Sequence, residues 1–380
     1  MRLSRRWLLL STLAASLLLA ACSSSGGGSR SGSPTSTTTS GTVKAQIVSS
    51  PPSSPPTTIQ IAQPLPKAPP KGKSVVFLQC PLPACERYDA GVQAAAAALG
   101  WSSKIEVFNN AQPGAGLQTA IAQHPDYIAI TGIPPAAVKP QLATAAAAHI
   151  PVISCADPDP AAPGEYAVQC GGTLAVDASD IGRWIINDSG GKANVVAVTI
   201  PQFPVLTTET SWFETKFKSL CAGCSYDQLA VSVNDVASGA VPQKIVGYLQ
   251  AHPNVDYVFL TFNDLESGLP QALRTAGLSS KVKITGAAGD KSIMQTIGNT
   301  NAAWTIAPDV YDGWVMLDAM ARLSEGDALS PSYLQEVFPY PDWVVNSAAS
   351  VSKYLQATGY DWYGPAGYQS QFEKLWKIGA

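Results

Sequence analysis

The 380-residue chain is short of charge: Lys, Arg, Asp and Glu make up 13% of it and the formal net charge is −3. No basic face is available to neutralise phosphates, which excludes nucleic acid as a partner. Histidine is almost missing. The three present, His124, His149 and His252, all fall at helix ends next to Pro-containing turns, where none is placed to act as a base or to hold a metal. Without them there is no Ser-His-Asp triad and no histidine zinc site. The chain also lacks a G-x-S-x-G elbow and a P-loop. Pro113-Gly114-Ala115-Gly116 is half of a dinucleotide fingerprint, but it follows the second strand and has no third glycine. An α/β enzyme is therefore the weaker reading, and neither a cofactor nor a metal is expected. Beyond residue 22, no apolar run reaches the roughly 20 residues that span a bilayer. The alanine-rich stretches 94–98 and 143–147 are short and helical.

What is present begins with an address. Arg2, Arg5 and Arg6 precede an apolar stretch from Trp7 to Ala21, and Leu19-Ala20-Ala21 leads into Cys22. That order describes an export signal. Its end is similar to the lipobox of bacterial lipoproteins, which implies cleavage before Cys22 and a diacylglycerol on its thiol; an ordinary cleaved signal is the alternative. Ser4-Arg5-Arg6 leaves twin-arginine export open beside the general route. Residues 23 to about 70 are nearly all Ser, Gly, Thr, Pro and Ala, too poor in apolar surface to offset ordering entropy, and are expected to be a flexible tether. The expected location is the outer face of the cytoplasmic membrane.

Six cysteines remain after Cys22, an even number that in an exported chain reads as disulfides. Proximity favours Cys80–Cys85, Cys155–Cys170 and Cys221–Cys224 among fifteen possible pairings. Cys221-Ala-Gly-Cys224 is also the spacing of a redox or zinc half-site. However, it has no second CxxC, and it closes a helix rather than opening one.

From residue 74 onwards, short apolar runs alternate with helical patterns. Ser74–Gln79, Lys104–Phe108, Tyr127–Thr131 and Pro151–Cys155 read as strands of a parallel sheet with helices on both faces. The pattern restarts at Asp177 and runs to a long helix at Tyr311–Ser324. The stretch 121–130 is echoed at 249–260: helix end, His-Pro turn, Asp, Tyr and apolar strand. Two copies of one βα device about 130 residues apart predict two α/β lobes of like architecture.

At these stretches the chain resembles the periplasmic sugar-binding family whose best-known members bind ribose. The residues that carry the likeness are VVFLQC with DAGVQAAAAALGW (75–101), DYIAITG (126–132), AAAAHIPVIS (145–154), AHPNVDYVFLTFNDLESGLPQALRTAGL (251–278) and VKITGAAGDK (282–291). The resemblance implies a type I binding-protein fold. Its two doubly wound parallel-sheet lobes would span 71–176 plus 309–336 and 177–308 plus 337–380, joined by crossings near Val176, Pro308 and Val337. It implies a monomer that captures a small molecule between the lobes and passes it to ABC permease subunits; a sensing partner of a membrane receptor is the alternative. The family's ligand-contacting positions, an Asn and two aromatics after the first strand and polar residues thereafter, map onto Leu82, Ala84, Cys85, Thr131, Ala156-Asp157, Thr210–Trp212, Asn263-Asp264, Ala288 and Pro308, and only Asn263-Asp264 clearly keeps the family's residues. The cleft mouth is therefore expected to use Glu86, Arg87, Tyr88, Thr131, Asp157, Phe203, Trp212, Asn263, Asp264, Asp290, Asp309 and Tyr311. Asp290 and Asp309 also stand where helix caps would. A ring between Tyr88 and Trp212, with carboxylates at its polar edge, suits these residue types. The expected ligand is less hydroxylated than a common monosaccharide, and is aromatic or carries a basic nitrogen.

Overall fold

The computed structural model describes residues 48–168, 173–307, 309–329, 342–352 and 365–379, all of one unit that begins at Lys44. The signal, Cys22, Cys170, Pro308 and Val337 lie outside the described residues.

The first lobe is built from β1 (Ser74–Gln79), α1 (Pro83–Leu99), β2 (Ser102–Val107), α2 (Pro113–Ile121), β3 (Tyr127–Thr131), α3 (Pro135–Ala147), β4 (Val152–Cys155) and β5 (Glu165–Ala167). Its sheet is all parallel, in the order β2-β1-β3-β4-β5. The central strands are buried along almost their whole length, as their unbroken apolar runs require. The chain then crosses through α4 (Thr173–Ser189), whose first turn holds Val176, into β6 (Asn194–Thr199).

The second lobe continues with α5 (Pro204–Trp212), β7 (Ser225–Ala230), α6 (Val233–Ala237), α7 (Val241–Ala251), β8 (Tyr257–Leu260), α8 (Leu269–Thr275), β9 (Lys283–Gly289), α9 (Lys291–Met294) and β10 (Asn301–Ile306). Helix α10 (Asp309–Ser324) returns to pack on α1, and β11 (Val344–Val345) adds an antiparallel edge to the second sheet, ordered β11-β10-β9-β8-β6-β7.

The sequence echo has a structural job. Asp126 accepts the N–H of Ser74 at 2.8 Å and Asp256 accepts that of Asn194 at 2.7 Å. In each lobe the Asp before one strand therefore satisfies the exposed first donor of the neighbouring strand. His124 and His149 terminate helices with left-handed backbone, at φ 52° and 57°, as their turn positions suggest.

Two glycines set the closest helix contact. A Cβ on Gly91 of α1 would lie 2.2 Å from the Val310 carbonyl oxygen, and one on Gly313 of α10 would lie 2.5 Å from the Val92 nitrogen. Only hydrogen fits there, and the close approach brings the middle of α1 against the first turns of α10.

The structure departs from the sequence reading at both ends of the body. The tether is not free up to residue 70. Val48 exchanges two hydrogen bonds with the Asn187 side chain of α4, and Pro52 accepts from Val344 of β11. Further along, Ile61 and Leu65 are buried in the first lobe's core and Pro70 accepts from the Trp101 ring. A few large apolar side chains in a Pro-stiffened segment suffice, because proline has already removed much of the chain entropy. The last helix, α11 (Tyr368–Leu375), belongs to the first lobe rather than the second. It packs on α10, where Trp376 stacks on Trp314 and donates to Asp318 at 2.6 Å.

Cys80–Cys85 and Cys221–Cys224 are disulfides. Cys155 is disulfide-bonded as well.

Candidate functional site

Both sheets present the carboxyl ends of their strands to a shared cleft, where ligands of open α/β sheets sit. The loop after β1 is pinned by the Cys80–Cys85 disulfide, and Pro83 opens α1 directly after it. This places Arg87 at the cleft. Its Nε donates to Asp309 at 2.7 Å and its Nη1 lies 3.7 Å from Asp290, while Nη2 is buried with no partner.

Asp290 does two things. One oxygen caps α9 by accepting from the Ser292 and Ile293 backbone, and the other accepts from Asn263 Nδ2 at 3.2 Å. Asp264 accepts the Ala84 N–H of the opposite lobe, and burial pushes its carboxyl up to about 6, with Arg87 pulling the other way. Asn263 Oδ1 and Asp264 Oδ2 are buried and unpartnered. Arg87, Asn263, Asp264, Asp290 and Asp309 thus form one cross-lobe cluster, and it retains one unused donor and two unused acceptors.

Asp157, after β4, accepts the Asp159 N–H with one oxygen and keeps the other buried and unpaired. Burial raises it to about 6, and the nearby Asp159 and Glu165 push the same way. Thr131 ends β3, with its hydroxyl 4.0 Å from Cys85 Sγ. Phe203 reaches across the cleft: a Cβ on Gly132, which has φ +63°, would lie 3.6 Å from its ring.

Three expected cleft residues are placed elsewhere. Tyr88 is buried in the first lobe's core and donates to Asp312 at 3.3 Å. Tyr311 is buried in the same core beside Tyr368 and Phe372. Trp212 lies against Gly182 of α4, so close that a Cβ there would be 2.4 Å from its ring. No Tyr88–Trp212 sandwich exists, because both rings lie on the apolar faces of their own helices. Glu86 is exposed. The argument for a basic ligand changes as well, since Arg87 already supplies a positive charge to Asp290 and Asp309.

Between the loops after β1, β2 and β3 on one side and those after β6 and β7 on the other lies a cavity of about 770 Å³. Pro81, Val107 and Ile133 line it from the first lobe, and Gln202, Phe203 and Val233 from the second.

A family profile described as "Periplasmic binding protein domain" matches residues 84–328, well over half of the chain. The chain belongs to the periplasmic binding protein family. The fold agrees with solved structures of such proteins. A 5-methylthioribose transporter solute-binding protein from Thermotoga lettingae aligns at 18% identity and TM-score 0.66, over 81% of this chain and 99% of that one. An ABC transporter solute-binding protein from Agrobacterium vitis with bound allitol aligns at 20% and 0.61, over 75% and 99%. A carbohydrate transporter from Acidothermus cellulolyticus in complex with myo-inositol aligns at 18% and 0.61, over 76% and 99%. No curated protein sequence matches the chain. This is a family of binding proteins, typically non-enzymatic. Among the described residues, no cluster of His, Cys, Asp or Glu could hold a metal.

The binding protein also buries acids that sequence reasoning passed over. Asp177 and Asp342 are hydrogen-bonded to each other and fully enclosed, and burial raises both, Asp177 to about 6. Glu209 is 0% exposed with neither carboxyl oxygen paired, and burial raises it strongly. Their spacing was the signal. Asp177 shares a helix stripe with Ile181 and Ile185, and Glu209 shares one with Leu206 and Phe213.

Proposed function

We propose that this chain is the extracytoplasmic solute-binding lipoprotein of an ABC importer, holding a sugar- or polyol-related solute between its lobes. The observation that carries this reading is the cross-lobe cluster, in which Arg87 Nη2, Asn263 Oδ1 and Asp264 Oδ2 are buried without partners at the carboxyl ends of facing strands. Unpaired buried groups cost about 1–3 kcal/mol each, and a bound solute with hydroxyls would satisfy them. Thr131, Asp157, Phe203 and Asp290 complete the proposed contact set. The related proteins with 5-methylthioribose, allitol and myo-inositol in their descriptions support a neutral, hydroxylated solute. Cys22 would carry the lipid that keeps the protein beside its permease.

A thermal-shift screen over 5-methylthioribose, polyols, deoxysugars, nucleosides, amino acids and aromatic acids tests the binding. A solute at a hundred times its Kd adds about 2.7 kcal/mol, and Asn263→Ala should remove the shift. A screen in which only amino acids or aromatic acids bind would contradict the solute class. For the anchor, the native protein should fractionate with membranes and Cys22→Ala should release it; an unmodified mature N-terminus would end that part of the reading.

A further inference from the structure

The two halves of the cleft differ in chemistry. The inner half, beside the crossings, holds Arg87, Asp157, Asp264, Asp290 and Asp309. The outer half is the cavity of about 770 Å³, and no ionisable side chain lines it. Its walls are Val107, Phe108, Ile133, Phe203 and Val233, relieved by amides at Asn109, Asn110, Gln202 and Asn234.

Two details mark this half as a place for a ligand rather than a gap between loops. Val107 is 62% exposed, although apolar side chains of its size are otherwise covered almost throughout the described residues. It ends strand β2 at the cavity wall, beside the apolar lining from Ile133, Phe203 and Val233, where an apolar group in the cavity would cover it. Asn110 stands at the same wall with its Nδ2 covered and without a protein partner, so its side chain gains a hydrogen bond by turning toward an acceptor in the cavity. The volume falls in the upper part of the 300–1,000 Å³ range that encloses drug-sized ligands, well beyond what a polar head alone requires.

We propose that the outer half is a subsite for an uncharged, largely apolar extension of the solute, so that the ligand class is a glycoside or polyol ether rather than a bare sugar. This rests on the reading of the chain as a solute-binding protein. The hydroxylated head occupies the inner cluster, where unused donors and acceptors wait. The extension lies over Phe203 and Val107 and offers one acceptor to Asn110. A charge on the extension is disfavoured, because the lining has no counter-ion for it and desolvation would go unmatched.

Calorimetric titration with matched probes tests this. L-Rhamnose, D-ribose and myo-inositol are each compared with their phenyl glycoside or ether and with the 4-carboxyphenyl counterpart. For at least one head, the phenyl member should bind at least tenfold tighter than both the bare head and the carboxyphenyl member. Ala137→Trp and Ala237→Trp, exposed positions on opposite walls, should each erase that advantage while leaving the bare head within about threefold. Equal or tighter binding of the bare heads would overturn the subsite and leave solute binding itself intact. So would an advantage that persists in both Trp variants. Equal binding of the carboxyphenyl members would overturn its uncharged character, and no binding by any member would overturn the glycoside class. Failure of the wider reading would look different, as an absence of response to every solute class in the thermal-shift screen.

Discussion

Arg87→Ala should lower the stability of the ligand-free protein at pH 7 by about 3–5 kcal/mol, the cost of leaving a buried carboxylate without its partner. Asp309 is 4% exposed and its Oδ2 accepts from Arg87 Nε at 2.7 Å. Asp264 and Asp290 lie in the same field. With the guanidinium gone, Asp309 has to take a proton or remain charged in a low-dielectric setting. Arg87→Lys should recover only part of the loss, since an ammonium cannot reproduce the fork that faces Asp309 and Asp290 together. Urea denaturation of Arg87→Ala, Asp309→Asn and the double variant gives the coupling directly. The double variant should be more stable than Arg87→Ala alone. A loss below about 1 kcal/mol for Arg87→Ala would mean that the pair is solvated and holds nothing together.

Stability should also fall as the pH rises from about 4.5 to 8, against the usual trend for acidic proteins. Burial raises Asp157, Asp177 and Asp264 to about 6, and raises Glu209, Asp312 and Asp342 strongly. These groups bind protons more tightly in the native state than in the unfolded chain. Their contribution is therefore complete below the ordinary carboxylate range and is lost as pH climbs through 6 and beyond. A group moved from near 4 to about 6 costs on the order of 3 kcal/mol at neutral pH. Asp126 and Asp235 have the opposite sign: hydrogen bonds hold both down against burial, Asp235 to about 2, so they lose stability in acid. The optimum should therefore lie near pH 4–5. Thermal melts should show a midpoint several degrees higher at pH 5 than at pH 8, with a shallower slope in Asp177→Asn. A midpoint that rises steadily to pH 7 would show that these carboxyls are ionised and solvated in the native protein.

The sheets were legible because their strands are buried on both faces. Ser74–Gln79 and Tyr127–Thr131 have the same limits in sequence and structure. Strands β5 and β11, three and two residues long, were not legible, since they are strands only because a neighbour pairs with them. The burial of Tyr88 is encoded locally. Tyr88 lies on the same stripe of α1 as Val92, Ala95 and Leu99, and all are buried, which is the pattern of a core residue. Arg87, one position away, turns instead toward Asp309 and Asp290, and which partner it meets was not predictable. Arg87 and Asp309 are 222 residues apart, and no local pattern encodes which of several loop carboxylates a guanidinium will reach. The docking of residues 48–70 was hidden for a related reason, because the surfaces that receive Ile61 and Leu65 are assembled from the chain's far end.

The central claim is that a solute is enclosed between two lobes, and small-angle X-ray scattering tests it most directly. The polar atoms of the cross-lobe cluster are buried, so a solute can reach them only when the lobes separate, by bending at the crossings while each sheet stays rigid. With the tightest solute from the thermal-shift screen at saturation, the radius of gyration should fall relative to the ligand-free protein, and Asn263→Ala at the same concentration should keep the larger value. An identical radius with and without solute, at a concentration where the melting temperature shows the site to be full, would contradict enclosure by lobe closure.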